Sequence, residues 1–203
     1  DALAVMKEKG IRRLPVVKGQ TLVGIVTWTD LMRASPSPAT SLSVWEISYL
    51  LMKAPVSEVM SKSVITTSPG ATIEEVAVQM RQHKIGGLPV VEDGGVVGIV
   101  TESDIFDAFI DLMGLNRGGT RLTVQIEDRI GALEEVVRVI RVCQVNIRSL
   151  AAYVLDGTAQ AVIRLETPYP LHVVQALAEQ GIKVVHLAPL PEVEQPERNA
   201  AAR

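Results

Sequence analysis

The sequence predicts a mixed α/β chain in which one small unit is used twice and a third unit of different design follows. Three observations carry this. Residues 11–34 read IRRLPVVKGQTLVGIVTWTDLMRA and residues 85–108 read IGGLPVVEDGGVVGIVTESDIFDA, so LPVV and VGIVT recur letter for letter. A repeat of this kind means one structural unit used twice. Hydrophobic residues make up 47% of the chain but aromatics only 3%, so the core is built from Val, Ile, Leu and Ala, in short strand-forming runs beside helical stretches. After Leu112 the pattern changes to β-α-β-β-α-β.

The second copy defines the unit. Ser63-Val64-Ile65-Thr66-Thr67 reads as a short strand, and Ser68-Pro69-Gly70 as a turn. Thr72-Ile73-Glu74-Glu75 has the form of a capping box, opening a helix that carries Val76 and Met80 on one face. Gly86-Gly87 precedes the strand LPVV. Asp93-Gly94-Gly95 supplies a hairpin turn, VVGIV is the partner strand, and Thr101 to Asp104 starts a second helix. In the first copy Asp1 aligns with Glu75, so the counterpart of residues 55–74 would lie upstream. The reading therefore expects an incomplete first copy over 1–54 and a complete second one over 55–112. Ser35-Pro36-Ser37-Pro38 reads as a linker and 44–53 as a linker helix.

Residues 113–119, containing GLNRGG, read as a hinge, and 120–190 as the third unit. There TRLTVQI alternates like a strand, and Leu133, Val136, Val137 and Ile140 form a helical stripe. VNIRSLAAYVLDG and TAQAVIRLET are strands around an Asp-Gly turn, Pro170 to Gly181 is a helix closed by glycine, and IKVVHL is a last strand. This is the ferredoxin-like order. The tail over 191–203 is polar and Ala-rich, and reads as disordered.

A net charge of −3 gives no electrostatic footprint for nucleic acid or an anionic membrane. One cysteine, Cys143, excludes an intrachain disulfide framework, favours a reducing cytoplasm and reads as a buried, inert thiol. The three histidines show no metal-ligand spacing, and neither a phosphate-binding loop nor a nucleophile elbow is present. The expectation is a chain without catalytic activity, cofactor requirement or metal.

The pairs Thr27–Asp30 and Thr101–Asp104 follow strands and open helices. Each can be a capping box, in which Thr accepts a backbone N–H and Asp favours the helix N-terminus. Each Asp can equally accept two hydrogen bonds from a ribose diol, because an ionised carboxylate is acceptor-only. Arg12 and Arg13, before the first LPVV, can neutralise a phosphate or form a solvated surface pair. The second copy has Gly86 and Gly87 there, which removes the cations from that half and predicts unequal sites.

The duplicated LPVV…VGIVT-x-x-D pattern resembles a tandem cystathionine-β-synthase (CBS) domain pair, or Bateman module, over residues 1 to about 112. The resemblance implies an adenosine-containing ligand: AMP, ADP, ATP or S-adenosylmethionine. It implies that Asp30 and Asp104 hold ribose with Thr27 and Thr101 beside it. It further implies that the backbone around Val64, Ile65 and Thr66 lines the adenine pocket of the second site, and that the first site is incomplete. In the third unit, Asp128-Arg129-Ile130-Gly131-Ala132-Leu133 after a strand resembles an ACT domain, a small regulatory module that often binds amino acids. That resemblance puts Asp128, Gly131 and Asn146 at the ligand positions, Gly131 allowing close approach; the loop can equally be a plain turn in a dimerising module. SPSPATSLSVWEISYLL together with the domain order resembles the acetoin-utilisation protein B family, linked to acetoin or acetate metabolism. Taken together, these resemblances imply a cytoplasmic, homodimeric regulatory protein. The alternatives are a dimerising adaptor for an enzyme or transporter, and an amino-acid sensor working through the third unit.

Overall fold

The computed structural model describes residues 1–34, 55–155 and 157–192. The expected linker from Ser35, the helix over 44–53 and the tail from 193 lie outside the described residues. The chain divides into two compact units that meet between Ile105 and Phe106. The first holds the first copy of the repeat and the second copy as far as Ile105, inside its last helix.

In the first copy, helix α1 (Ala2–Lys9) is followed by strands β1 (Arg13–Lys18) and β2 (Thr21–Thr27) and helix α2 (Trp28–Ala34). In the second, the short helix α3 (Val56–Val59) and helix α4 (Ile73–His83) precede β3 (Gly87–Glu92), β4 (Gly95–Thr101) and α5 (Glu102–Leu112). Each hairpin is antiparallel, with its register shift at the same point of the repeat: between Val16 and Val17 in one, Val90 and Val91 in the other. Asp93 and Gly94 both take positive φ, at 49° and 80°, which is the backbone a two-residue hairpin of the primed type demands. Thr72 and Glu75 form the reciprocal capping box that opens α4, at 3.2 and 2.8 Å. The two hairpins join edge to edge through Thr21 and Gly95, giving the order β1-β2-β4-β3. Val76, Met80 and Leu88 form the buried core of the second copy, with Ile65, Ile85 and Val100 packed against it. Each such side chain contributes about 1.5–3 kcal/mol when fully buried.

The strand expected over Ser63–Thr67 is not formed. This segment is pinned only at its ends. Ser61 pairs with Ile25 of the first copy, through bonds of 2.9 and 3.0 Å. Thr67 bridges Val90 of the second, receiving Val91 N–H at 2.9 Å. Ends tied to strands of different copies prevent a continuous ladder with either one.

The second unit contains β5 (Arg117–Ile126), α6 (Ala132–Val142), β6 (Ile147–Leu155), β7 (Thr158–Leu165), α7 (Leu171–Glu179) and β8 (Lys183–Glu192). Its antiparallel sheet has the order β6-β7-β5-β8, so the β-α-β-β-α-β expectation holds. Leu122, Ile163, Leu165, Val136, Ile140, Val173 and Leu177 are its fully buried centre. Val139 rather than Val137 completes the buried stripe of α6. Two expected boundaries move. Arg117 to Gly119 belong to β5 rather than to a hinge, and β8 runs through Pro191 to Glu192, both held by pairing between these strands. Cys143 is half-buried at the end of α6, not enclosed.

Two glycines of this unit have positive φ for different reasons. Gly131, at 87°, has open space where a Cβ would stand, so within the chain its backbone conformation alone demands glycine. Gly119, at 100°, lies against the Leu165 carbonyl, and a Cβ would collide with it. Gly131→Ala should therefore cost about 1–2 kcal/mol, the left-handed penalty alone. Gly119→Ala should cost about 2–4 kcal/mol, strain plus overpacking. Urea denaturation of the two variants separates them, and equal losses would contradict this assignment.

Asn146 Nδ2 donates to Glu166 at 2.8 Å, and Arg148 Nη2 pairs with the same carboxylate at 3.0 Å. The Asn146 amide first, and the Arg148 guanidinium second, hold the Glu166 carboxyl below the usual carboxylate range. Its contribution to stability is thus complete above that range and is lost as pH falls through the lowered value. Glu166→Gln should flatten the acid side of the stability–pH curve, modestly because the pair is exposed. Denaturation midpoints in steps below neutral pH measure this; an unchanged acid side would contradict it.

Candidate functional site

The repeated unit builds two clefts from equivalent parts. In each copy, the strand that ends on VGIVT runs into a helix whose first residue donates its backbone N–H to the stretch before LPVV. Trp28 donates to the Arg12 carbonyl at 2.8 Å, and Glu102 to the Gly86 carbonyl at 3.2 Å. The Thr of T-x-x-D is therefore the cap of the helix and the Asp lies one turn inside it.

The first motif makes the reciprocal cap, and the second makes the carboxylate half of it. Asp30 Oδ2 accepts from the Thr27 backbone N–H at 2.9 Å and from its hydroxyl at 2.7 Å, and the Asp30 N–H returns to Thr27 Oγ1 at 3.2 Å. Asp104 Oδ2 accepts the same two bonds from Thr101, each at 2.7 Å. In neither carboxylate does Oδ1 take part in a hydrogen bond among the described residues. Capping and ligand binding are thus compatible: one oxygen orients the side chain and the other stays available.

The larger cleft, about 510 Å³, brings together Thr27, Asp30, Val64, Ile65, Arg12, Arg13, Gly86 and Gly87. Its volume lies within the range of small-molecule sites, about 300–1,000 Å³. The bridges at Ser61 and Thr67 carry Val64 and Ile65 across to the first copy. These two residues therefore stand with Asp30, not with Asp104 as expected, and the Asp30 cleft is the one with walls on all of these sides. The backbone groups of Val64, Ile65 and Thr66 make no hydrogen bond among the described residues, leaving peptide edges free within and beside the cleft. Thr66 itself is exposed and outside the lining.

A smaller cleft, about 290 Å³, has Thr101, Glu102 and Ser103 on one side and Arg12, Arg13 and Gly86 on the other. Asp104 is exposed and is not part of its lining. Arg12, Arg13 and Gly86 thus border both clefts.

Two residues of the larger cleft escape the repeat-based reading. Trp28 lies inside T-x-x-D where the second copy has Glu102, and it lines the cleft. Lys84 brings a third cation. It ends α4 in the left-handed conformation, φ 54°, where the first copy has Gly10 at 65°. Burial holds the Arg13 guanidinium below its ordinary value, Arg12 pushes the same way, and Glu102 partly offsets both.

In the second unit, Asp128 lines a cleft of about 260 Å³ with Arg129, Leu133 and Tyr153. Arg129 is committed to Glu127 and Glu135, at 2.5 and 2.9 Å. Asn146 does not join them. It leads into Ile147, which pairs with Leu165, whereas Asp128 follows Ile126, which pairs with Ala159 at the other end of β7. Six residues of strand, about 20 Å, separate the two ends. One chain therefore does not bring Asp128, Gly131 and Asn146 into a single site.

The geometry agrees with what the chain is similar to. The CBS domain pattern matches residues 1–37 and 56–111, the stretches that build both hairpins and both clefts. An inosine-5'-monophosphate dehydrogenase of Korarchaeum cryptofilum is 39% identical over 107 residues, 52% of this chain but only 19% of that enzyme. A CBS domain-containing protein of Dictyostelium discoideum is 34% identical over 114 residues, 55% of this chain and 79% of that protein. The crystal structure of a candidate acetoin utilization protein from Vibrio cholerae is 38% identical, over 57% of this chain and 78% of that one, with a TM-score of 0.46. The chain spans 19% to 40% of the first three curated relatives it matches. With the pattern present in both copies, and one relative matched over most of its length, the chain belongs to the CBS-domain proteins.

Proposed function

We propose that this chain is a non-catalytic regulatory protein that binds an adenosine nucleotide in the Asp30 cleft. The observation that carries the reading is convergence. Asp30 Oδ1 and the backbone groups of Val64, Ile65 and Thr66 have no hydrogen bond among the described residues, and they line or border one cleft with three cations. Asp30 Oδ1 suits a ribose diol, free peptide edges suit a base, and Arg12, Arg13 and Lys84 suit phosphate. The dehydrogenase relative lends no activity, since this chain spans 19% of it.

Regulation would work through the segment 61–67. It is bonded to both copies, so a ligand that prefers one arrangement of it shifts the balance between arrangements by as much as that preference. We read the second unit as an ACT-like module that transmits this change through a homodimer, or that takes a second ligand, an amino acid, at the Asp128 cleft. The resemblance of the linker and domain order to acetoin-utilisation proteins is what supports a regulated step in acetoin or acetate metabolism, in the cytoplasm.

A thermal-shift titration with AMP, ADP, ATP, S-adenosylmethionine and NADH tests the site. At a hundredfold excess over Kd a ligand stabilises by about 2.7 kcal/mol. Asp30→Ala should abolish that shift. Asp104→Ala should lose about 1 kcal/mol of capping and keep it. A shift that survives Asp30→Ala, or no shift with any of the five, would overturn the assignment. Light scattering should give the mass of two chains at micromolar concentration; the mass of one would remove the homodimer.

A further inference from the structure

The sheet of the second unit is cationic in a chain of net charge −3. Its four strands carry Arg117, Arg121, Arg148, Arg164, Lys183 and His186 against one acid, Glu192. Leu122, Ile163 and Leu165 point into the core, so Arg121, Thr123 and Arg164 stand on the opposite face. There Arg121 and Arg164 are direct cross-strand partners between β5 and β7. Like charges placed opposite one another destabilise a ladder. Arg121 turns aside, its Nη1 donating to Thr123 Oγ1 at 3.0 Å and to His186 Nδ1 at 3.2 Å. Arg164 has no such outlet. It is 3% exposed, and its enclosed Nε and Nη1 have no hydrogen-bond partner among the described residues. The turn at Met113–Gly114 lies against its stem. A Cβ on Gly114 would stand 3.7 Å from Arg164 Cδ, and Ser149, the partner of Arg164 on β6, donates to the Met113 carbonyl at 2.9 Å. Burial first, and Arg121 second, hold the Arg164 guanidinium below its ordinary value. Among the described residues no carboxylate pairs with it.

We propose that Arg121 and Arg164 form a receptor for a small oxyanion, on the face of this sheet turned away from α6 and α7. The site stands apart from the nucleotide reading and from the Asp128 cleft, whose lining includes none of these residues. An oxyanion between the two guanidiniums replaces one repulsive contact by two attractive ones. It gives the unmet donors of Arg164 an acceptor. Arginine only donates, so His186 Nδ1 is the acceptor in its contact with Arg121 and the ring is neutral there. Arg121 therefore leaves a neutral partner for a charged one, which makes the stronger hydrogen bond. Thr123 and its cross-strand partner Val162 are almost wholly buried on the same face, so the site has room for one anionic group and not for an extended polyanion. A carboxylate and a phosphate share the chemistry required. With Nε and Nη1 enclosed, entry shifts the Arg121 side chain or the Gly114 turn, which couples binding to the end of α5.

Titrations of the whole chain with inorganic phosphate and with acetate, at constant ionic strength with chloride as the balance, test this. The readout is the Nε–H nuclear magnetic resonance signal of Arg164, identified as the one missing from Arg164→Leu. Arg164→Lys identifies it equally if the first variant folds poorly. The signal should move saturably with one anion or both, and the anion that moves it tells whether the ligand is anchored by phosphate or by carboxylate. Arg121→Gln should weaken that binding by about tenfold or more, as expected for the loss of a charged hydrogen bond. Arg13→Ala should leave it unchanged, since that side chain lies in the first unit. An Arg164 signal that stays still in both titrations removes the site. So does a midpoint that Arg121→Gln leaves in place, or one that follows Arg13→Ala instead.

Discussion

The pairing of Ser61 with Ile25 is the constraint from which the rest of the first unit follows. It is two backbone hydrogen bonds of 2.9 and 3.0 Å, made between a loop of one copy and a strand of the other. With the matching bridge from Thr67 to Val90, it ties the ends of the five intervening residues to strands of both copies. Extended backbone held only at its ends cannot satisfy its own amides. That the backbone groups of Val64, Ile65 and Thr66 make no hydrogen bond among the described residues is the direct result. So is the position of Val64 and Ile65 against Asp30, and hence the larger cleft itself.

In the proposed site, each T-x-x-D motif lets one side chain serve structure and recognition together. A carboxylate that spends Oδ2 on the motif's Thr is held in orientation, while Oδ1 has no hydrogen bond among the described residues. That is preorganisation: ordering a ligand-binding group in advance lowers the entropy lost on binding. The cap is therefore part of the site's design, and removing the Thr would loosen the Asp even where the Asp itself is kept.

Much of this architecture was legible in the sequence, and the reason is locality. The hairpin at Asp93-Gly94, the capping box at Thr72–Glu75 and the order of elements after Leu112 depend on neighbours a few residues apart. What escaped depends on contacts between distant segments. Nothing near Val64 states that it lies against the other copy's Asp30; that is set by a single bridge to Ile25. Asn146 looked like a ligand residue by its place in the chain. Register puts it at the opposite end of the sheet from Asp128, tied to Glu166. Gly131 shows within the chain only the demand of its left-handed backbone. Arg12-Arg13 against Gly86-Gly87 read as a loss of cations from one half. In three dimensions it is one fitted contact: a Cβ on Gly87 would stand 2.5 Å from Arg13 Nη1, so Arg13 lies in room that a side chain there would fill.

That contact also bears on how the chain finds its own fold. Strands LPVV and VGIVT are identical in both copies, and even their register shifts coincide. An unfolded chain holding two interchangeable hairpins could pair β1 with β4 and β3 with β2, exchanging partners at no loss of ladder hydrogen bonds. Such exchanged pairings are traps of the kind repeat proteins fall into. The segments that flank the identical strands are the ones that differ. A side chain as large as Arg13 has room beside Gly87 and would have none beside a second arginine. Dissimilar ends on like strands give the chain a way to tell its two halves apart.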